Sequence, residues 1–179
     1  MPESLTATDL LFDAASFAAR AHRHQVRKDG QTPYAAHPFR VCLVAQLVFG
    51  IDDPKVLTTA LLHDTIEDTT TDYDDIAERF GADVARWVAT LTKDMRLEEE
   101  VREAEYHRVL AGAEWPVTVC KLADIYDNLS DSKTLSTKGR ERGMIRAWQY
   151  LHAMHATLPP HAPAAYAIVE QKLNAMQFA

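Results

Sequence analysis

Four titratable side chains crowd one short segment of this chain. Leu61-Leu62-His63-Asp64-Thr65-Ile66-Glu67-Asp68 sets an imidazole and three carboxylates directly after an apolar helical stretch. Continued as a helix, the segment puts Glu67 four residues after His63 and three after Asp64, and Asp68 four after Asp64. The groups then share adjoining parts of one surface. Carboxylates so close repel one another and desolvate badly unless a cation neutralises them. A divalent metal is the economical cation. Neighbouring side chains cannot complete such a site, so further ligands must come from elsewhere.

Two segments offer them. His37 precedes Pro38 at a helix start, just after the loop Gly30 to Tyr34; there it can ligate a metal, or it can cap and pack. Asp124 lies in Lys121-Leu122-Ala123-Asp124-Ile125-Tyr126-Asp127-Asn128. Lys121, Asp124 and Asn128 form one helical stripe beside the apolar stripe Leu122, Ile125 and Leu129. Asp124 can be a ligand, or an exposed acid paired with Lys121.

The elements that must position these groups read as helices nearly throughout. Leu10, Leu11, Ala14, Ala15, Phe17, Ala18 and Ala21 predict a first helix from about Thr8-Asp9, ending near Arg27-Lys28-Asp29-Gly30. A loop from Asp29 to Ala36 follows. Pro38 fits the first turn of a second helix, which runs to about Phe49 and stops at Gly50. Asp53-Pro54 caps a third helix through Leu57, Leu61 and Leu62. Further helices are predicted over Asp74 to Phe80, Ala82 to Thr92, Leu97 to Ala113, Val117 to Ser130, Arg140 to Leu158 and Pro163 to Gln177. Val117-Thr118-Val119-Cys120 is the one strand-like run, and it leads straight into a helical pattern. The expectation is an all-α bundle of about eight or nine helices, one domain over 1–179. Pro159-Pro160-His161 separates the last two helices.

Composition narrows the partners. The chain has 179 residues, 26 acidic against 19 basic, for a net charge of −7. Proteins that grip nucleic acid through many phosphates usually carry the opposite sign, so no nucleic-acid partner is expected. Apolar residues at 47% and charged residues at 25% argue against disorder. No apolar run approaches the ~18 residues of a membrane span, so no membrane partner is expected. Met1-Pro2-Glu3-Ser4 lacks the basic start of a secretory signal. A cytoplasmic location follows, with Cys42 and Cys120 as free buried thiols. Exposed helix faces leave room for a homo-oligomer.

Taken in order, Tyr34-Ala35-Ala36-His37-Pro38, His63-Asp64 and Lys121-Leu122-Ala123-Asp124 resemble the HD-domain metal phosphohydrolases. More closely, the chain resembles the (p)ppGpp-hydrolase domain of the RelA/SpoT family and the stand-alone small alarmone hydrolases. The resemblance begins at Ala18-Ala19-Arg20-Ala21-His22 and continues through Arg27 to Tyr34, Phe80-Gly81, Leu91-Thr92-Lys93 and Lys121 to Asn128. It covers about residues 10–155 and leaves the helix 163–177 unassigned.

The resemblance implies an HD-domain helical bundle and a set of roles. His37, His63, Asp64 and Asp124 match the metal ligands. Their donor types suit Mn²⁺, Fe²⁺, Co²⁺ or Zn²⁺ about equally, and the family's usual activator is Mn²⁺. Glu67 and Asp68 match the catalytic pair that orients and deprotonates the attacking water. Because the implied substrate is a polyanion, a local basic patch is expected despite the net charge. Arg20, Arg23, Arg27 and Lys28, with His22 and His24 among them, could supply it. Arg27-Lys28 matches a basic pair beside the nucleotide, and Asn128 matches a ribose- or base-contacting residue. Arg142 and Arg146 could reach phosphates from the later helix.

The chain departs from the family at Ile125, where a basic residue is common. It departs at Ser130, where Arg is frequent, and at Asp127, where the family has an aromatic, His or aliphatic residue. A carboxylate there would repel a substrate phosphate or face solvent. The implied reaction is metal-dependent hydrolysis of the 3′-diphosphate of ppGpp and pppGpp, giving pyrophosphate and GDP or GTP. The alternatives are an HD phosphohydrolase of another nucleotide or phosphorylated metabolite, and a non-catalytic nucleotide-binding module.

Overall fold

A computed structural model describes residues 6–155 and 162–177. It is all-α. The elements are α1 (Ala7–Ala21), α2 (Ala36–Leu43) with a π-helical turn over Val44–Val48, α3 (Pro54–Leu62), α4 (Thr65–Asp68), α5 (Tyr73–Phe80) and α6 (Ala82–Leu91). Then come α7 (Glu99–Ala111), α8 (Trp115–Ser130) with a 3₁₀ turn over Asp131–Thr134, α9 (Thr137–His155) and α10 (Pro163–Gln177). Every helix expected from the sequence is present. The Met1–Ser4 start, the expected end of α9 at Leu158 and the Pro159–His161 break lie outside the described residues.

Local chemistry explains most boundaries. Thr6 and Asp9 form a capping box at the start of α1, two residues before the expected start. Asp53 Oδ1 accepts from the Lys55 backbone N–H at 2.8 Å, with Pro54 in the first turn. Gly81 divides α5 from α6 at φ 90°, a left-handed conformation that other residues resist. The strand-like Val117–Cys120 run is helical inside α8.

Two expectations are corrected. First, α1 ends at Ala21, not near Gly30. The Gln25 side-chain amide donates to the Asp68 carbonyl at 2.6 Å. Arg27 N–H then donates to Thr32 O and Tyr34 N–H to Gln25 O, so residues 25–34 close into a tight loop with Gly30 at its tip. Second, the helix does not run on through the catalytic segment. It breaks at His63-Asp64, and a single turn, α4, restarts at Thr65.

The middle of the molecule is α3 and α8. Every residue of α3 from Val56 to Leu62 is buried, and so is α8 from Pro116 to Ile125. A helix apolar on most sides belongs inside a bundle. α8 packs on α2, α3, α6, α9 and α10, while α3 also meets α1. Two adjoining apolar clusters result, one around α8 and one joining α1, α3, α5 and α6. The polar residues of α8 that remain buried, Lys121, Asp124 and Asp127, need partners, and the site supplies them.

Candidate metal centre and its cavity

His37 at the start of α2, His63 at the end of α3 and Asp124 in the middle of α8 converge. One ligand atom from each lies within 4.8 Å of the others. Asp64 closes the group: its Oδ2 is 3.4 Å from His37 Nε2 and its Oδ1 is 3.2 Å from His63 Nε2. The four expected ligand residues are therefore brought together, by the helix break and not by a continuous helix face.

Both imidazoles present the same nitrogen. His63 Nδ1 lies 2.9 Å from the Ala60 carbonyl, and His37 Nδ1 lies 2.7 Å from Asp127 Oδ2. Each acceptor fixes a proton on Nδ1 and leaves Nε2 with its lone pair toward the centre. His63 Nε2 is buried with no hydrogen-bond partner among the described residues. An orphaned nitrogen beside His37 Nε2, Asp64 and Asp124 is a donor set that fits a divalent cation.

The electrostatics require positive charge there. Burial alone would lower the pKa of both imidazoles. For His37 the hydrogen-bonded carboxylates Asp124, Asp127 and Asp64 outweigh burial, and for His63 the charge of Asp64 does. Both pKa values are raised. Burial likewise opposes ionisation of Asp64 and Asp124, yet the imidazoles, with Lys121 beside Asp124, hold both carboxyls well below the usual range. Protons or a metal ion can supply this charge, and a metal supplies it through the ligand geometry already present.

Asp124 has two further donors. Lys121 Nζ donates to its Oδ2 at 2.8 Å, and Asn128 donates to its Oδ1. The pairing with Lys121 expected from sequence exists, but both partners are buried, with the ammonium 4.6 Å from the Tyr150 ring centre. An exposed acid is therefore not what Asp124 is.

Glu67 and Asp68 both line the cavity above this centre. Glu67 Oε2 accepts from the Lys93 backbone N–H at 2.7 Å, with Lys93 Nζ 3.8 Å from Oε1. Asp68 Oδ2 accepts from the Tyr34 hydroxyl at 3.0 Å, and that hydroxyl lies 2.7 Å from Asp64 Oδ2. Burial is the main reason that both pKa values are raised. Tyr34 and Lys93 are site residues whose contacts the sequence did not announce. Each appeared only as part of a motif.

The cavity holds about 370 Å³. Arg27, Lys28, Lys93, Lys121, Arg140, Arg142 and Arg146 are among its lining residues. Arg20 and Arg23, which the sequence offered as part of the basic patch, do not line it; Arg23 bonds to His24 and to the Arg20 carbonyl. Arg27 is tied at 3.0 Å to both Asp131 and Asn128. Arg142 stands on the rim, while Arg146 is paired with Glu99 at 2.6 Å. Of the departures, Ile125 is buried against the cavity, and Ser130 lies outside it with its hydroxyl on the Tyr126 carbonyl.

Asp127 requires a correction. It neither faces solvent nor lines the cavity. It is 3% exposed and accepts from His37 and from Arg40, whose Nε lies 2.6 Å from Oδ1. Burial favours its protonated form, but these two donors prevail and keep the pKa low. Cys42 and Cys120 are both free, as expected; Cys120 is buried and Cys42 partly so.

Comparison with known proteins agrees with this geometry. An HD-domain family model matches residues 14–153. The chain is 39% identical over 131 residues to guanosine-3′,5′-bis(diphosphate) 3′-pyrophosphohydrolase MESH1 of Xenopus tropicalis, covering 73% of each chain. It is 41% identical over 130 residues to the Homo sapiens protein of that name, covering 72% of this chain and 73% of the relative. A solved structure of a metazoan ortholog of SpoT, described as hydrolysing ppGpp with a role in starvation responses, superposes with a TM-score of 0.86 at 26% identity. That match covers 98% of this chain and all of the other. With a domain match that spans both ends of the buried ligand cluster and relatives aligned over most of their own length, the chain belongs to the HD-domain family.

Proposed function

We propose that this protein is a metal-dependent pyrophosphohydrolase of ppGpp and pppGpp. The observation that carries the reading is the pair of Nε2 atoms, each with its Nδ1 already satisfied, facing Asp64 and Asp124 beneath a basic cavity. The names of the MESH1 relatives support the same substrate. Residues 1–179 then act as one catalytic domain, and the partner is a small anionic nucleotide.

In this reading His37, His63, Asp64 and Asp124 would hold one Mn²⁺. A bound divalent ion lowers the pKa of water and polarises a phosphoryl oxygen. Glu67 accepts the proton of the attacking water. Its raised pKa suits that task, because a base works best when its pKa lies near the working pH. Asp68, held by Tyr34, orients that water. Arg27, Lys28 and Arg142 take the phosphates and Asn128 the nucleoside. Water adds to the phosphorus that carries the ribose 3′-oxygen, that P–O bond breaks, and the leaving 3′-oxygen takes up a proton, equivalent to the one Glu67 removed, to become the ribose hydroxyl. The products are pyrophosphate and GDP or GTP. The free Cys42 and Cys120 accord with a cytoplasmic setting.

The test is incubation with ppGpp and Mn²⁺, with and without a chelator, with pyrophosphate and orthophosphate measured separately. Chelator-sensitive GDP and intact pyrophosphate are expected. Release of orthophosphate, or metal binding without turnover, would overturn the substrate assignment and direct attention to Ile125 in the cavity wall.

A further inference from the structure

Among the contacts between helices α2 and α8 are two polar residues from each. His37 and Arg40 stand three apart on α2, and Asp124 and Asp127 stand three apart on α8. Each pair therefore lies on one helix face. Asp124 Oδ1 approaches His37 Nε2 at 3.2 Å, while Asp127 Oδ2 takes Nδ1 at 2.7 Å. The imidazole is thus bracketed at both nitrogens by one helix. Arg40 reaches the same carboxylate with Nε on Oδ1 at 2.6 Å and Nη2 on Oδ2 at 3.1 Å. Its Nη2 also reaches Asp131 at 3.1 Å.

This arrangement separates the two ring ligands. His63 is oriented by a neutral carbonyl. His37 is oriented by a buried carboxylate that is itself clamped by a bidentate guanidinium. Charge-assisted bonds are roughly twice as strong as neutral ones, and such a partner fixes the tautomer and raises the basicity of the ligating nitrogen.

We propose that Asp127, held by Arg40, is the positioning residue for His37, fixing its ring so that Nε2 faces the metal. This rests on the metal-site reading above. Asp127 touches neither the substrate cavity nor the reacting atoms. Its direct contact with the site is His37, while its partner Arg40 also reaches Asp131, which pairs with Arg27.

The experiment compares the full-length parent with Asp127→Leu, Asp127→Asn and Arg40→Ala, with folding checked by circular dichroism. Mn²⁺ affinity is read by chelator competition. A second-sphere loss of this kind costs roughly 10–100-fold in affinity, and this is expected for Asp127→Leu. Asp127→Asn, which keeps an acceptor oxygen, falls between it and the parent. Arg40→Ala loses less, because the His37 bond remains. In the two Asp127 variants the KM for ppGpp at saturating Mn²⁺ stays at the parent value. In Zn²⁺-loaded, histidine-labelled protein, NMR is expected to show a low-field, hydrogen-bonded His37 Nδ1 proton in the parent, and that low-field shift is lost in Asp127→Leu. Parent-like Mn²⁺ affinity in a folded Asp127→Leu protein overturns the proposal and leaves the metal site standing. A parent that binds no Mn²⁺ overturns both. If Asp127→Leu does not fold, Asp127→Asn decides by the same two readings.

Discussion

Glu67 and Asp68 are neighbours in sequence that meet different partners. The first is held by the Lys93 backbone and the second by the Tyr34 hydroxyl. Their roles in the proposed reaction separate in the same way from those of the ligands. Glu67→Gln keeps the charge-neutral shape but cannot accept a proton. It should lower kcat about 10²–10⁴-fold while Mn²⁺ still binds in a chelator titration. Asp64→Ala should lose metal and turnover together. Parent-like turnover in Glu67→Gln would remove it from the mechanism. At this scale much was legible. His37, His63, Asp64 and Asp124 stand out by type and order, because few physical situations tolerate such groups next to an apolar run. Their partners were not legible. Asp127 reads as a misplaced charge until Arg40, 87 residues away, is seen beside it.

Among the elements, caps were readable and interruptions were not. Asp53-Pro54 and Gly81 declare helix ends through local chemistry alone. The loop just after α1 is held by Gln25 bonding to the Asp68 carbonyl, a contact 43 residues long that no local pattern encodes. The break at His63-Asp64 is hidden because Thr65 and Ile66 continue the apolar spacing. Asp53→Ala should destabilise the protein by about 1 kcal/mol in denaturant titration. The loop that carries Arg27 and Lys28 has its own titratable brace. Asp29 accepts from the Thr32 hydroxyl at 2.6 Å and from the Gln31 and Thr32 backbone N–H groups, and its pKa is pushed down to about 2. A pKa below the unfolded value of about 3.9 means that this brace is fully present above that pH and is lost as pH falls toward 2. A carboxyl NMR titration should give a midpoint near 2 for Asp29, and a midpoint near 4 would show that the brace does not form.

For the molecule as a whole, α3 contributes to both apolar clusters and α8 centres one of them, and these helices carry His63 and Asp124 to the cavity. Stability and site geometry therefore share the same helices. Leu122, wholly buried two residues before Asp124, makes the point. Leu122→Ala should cost about 2–5 kcal/mol in chemical denaturation. The charge distribution is also uneven: the chain is −7 overall, yet the cavity lining is rich in Arg and Lys. The substrate KM should rise with ionic strength as that local field is screened, measurable with ppGpp over a salt series at saturating Mn²⁺; a flat series would contradict electrostatic capture. One more consequence lies in the order in which the chain is made. His37 and its orienting carboxylate are 90 residues apart, and α8 is among the last helices synthesised. While α8 is still inside the ribosome, the nascent protein has His37, His63 and Asp64 but no Asp124 to complete the proposed set. The proposed ligand set is then complete only once α8 has docked, so a bound ion would report that α2, α3 and α8 have come together.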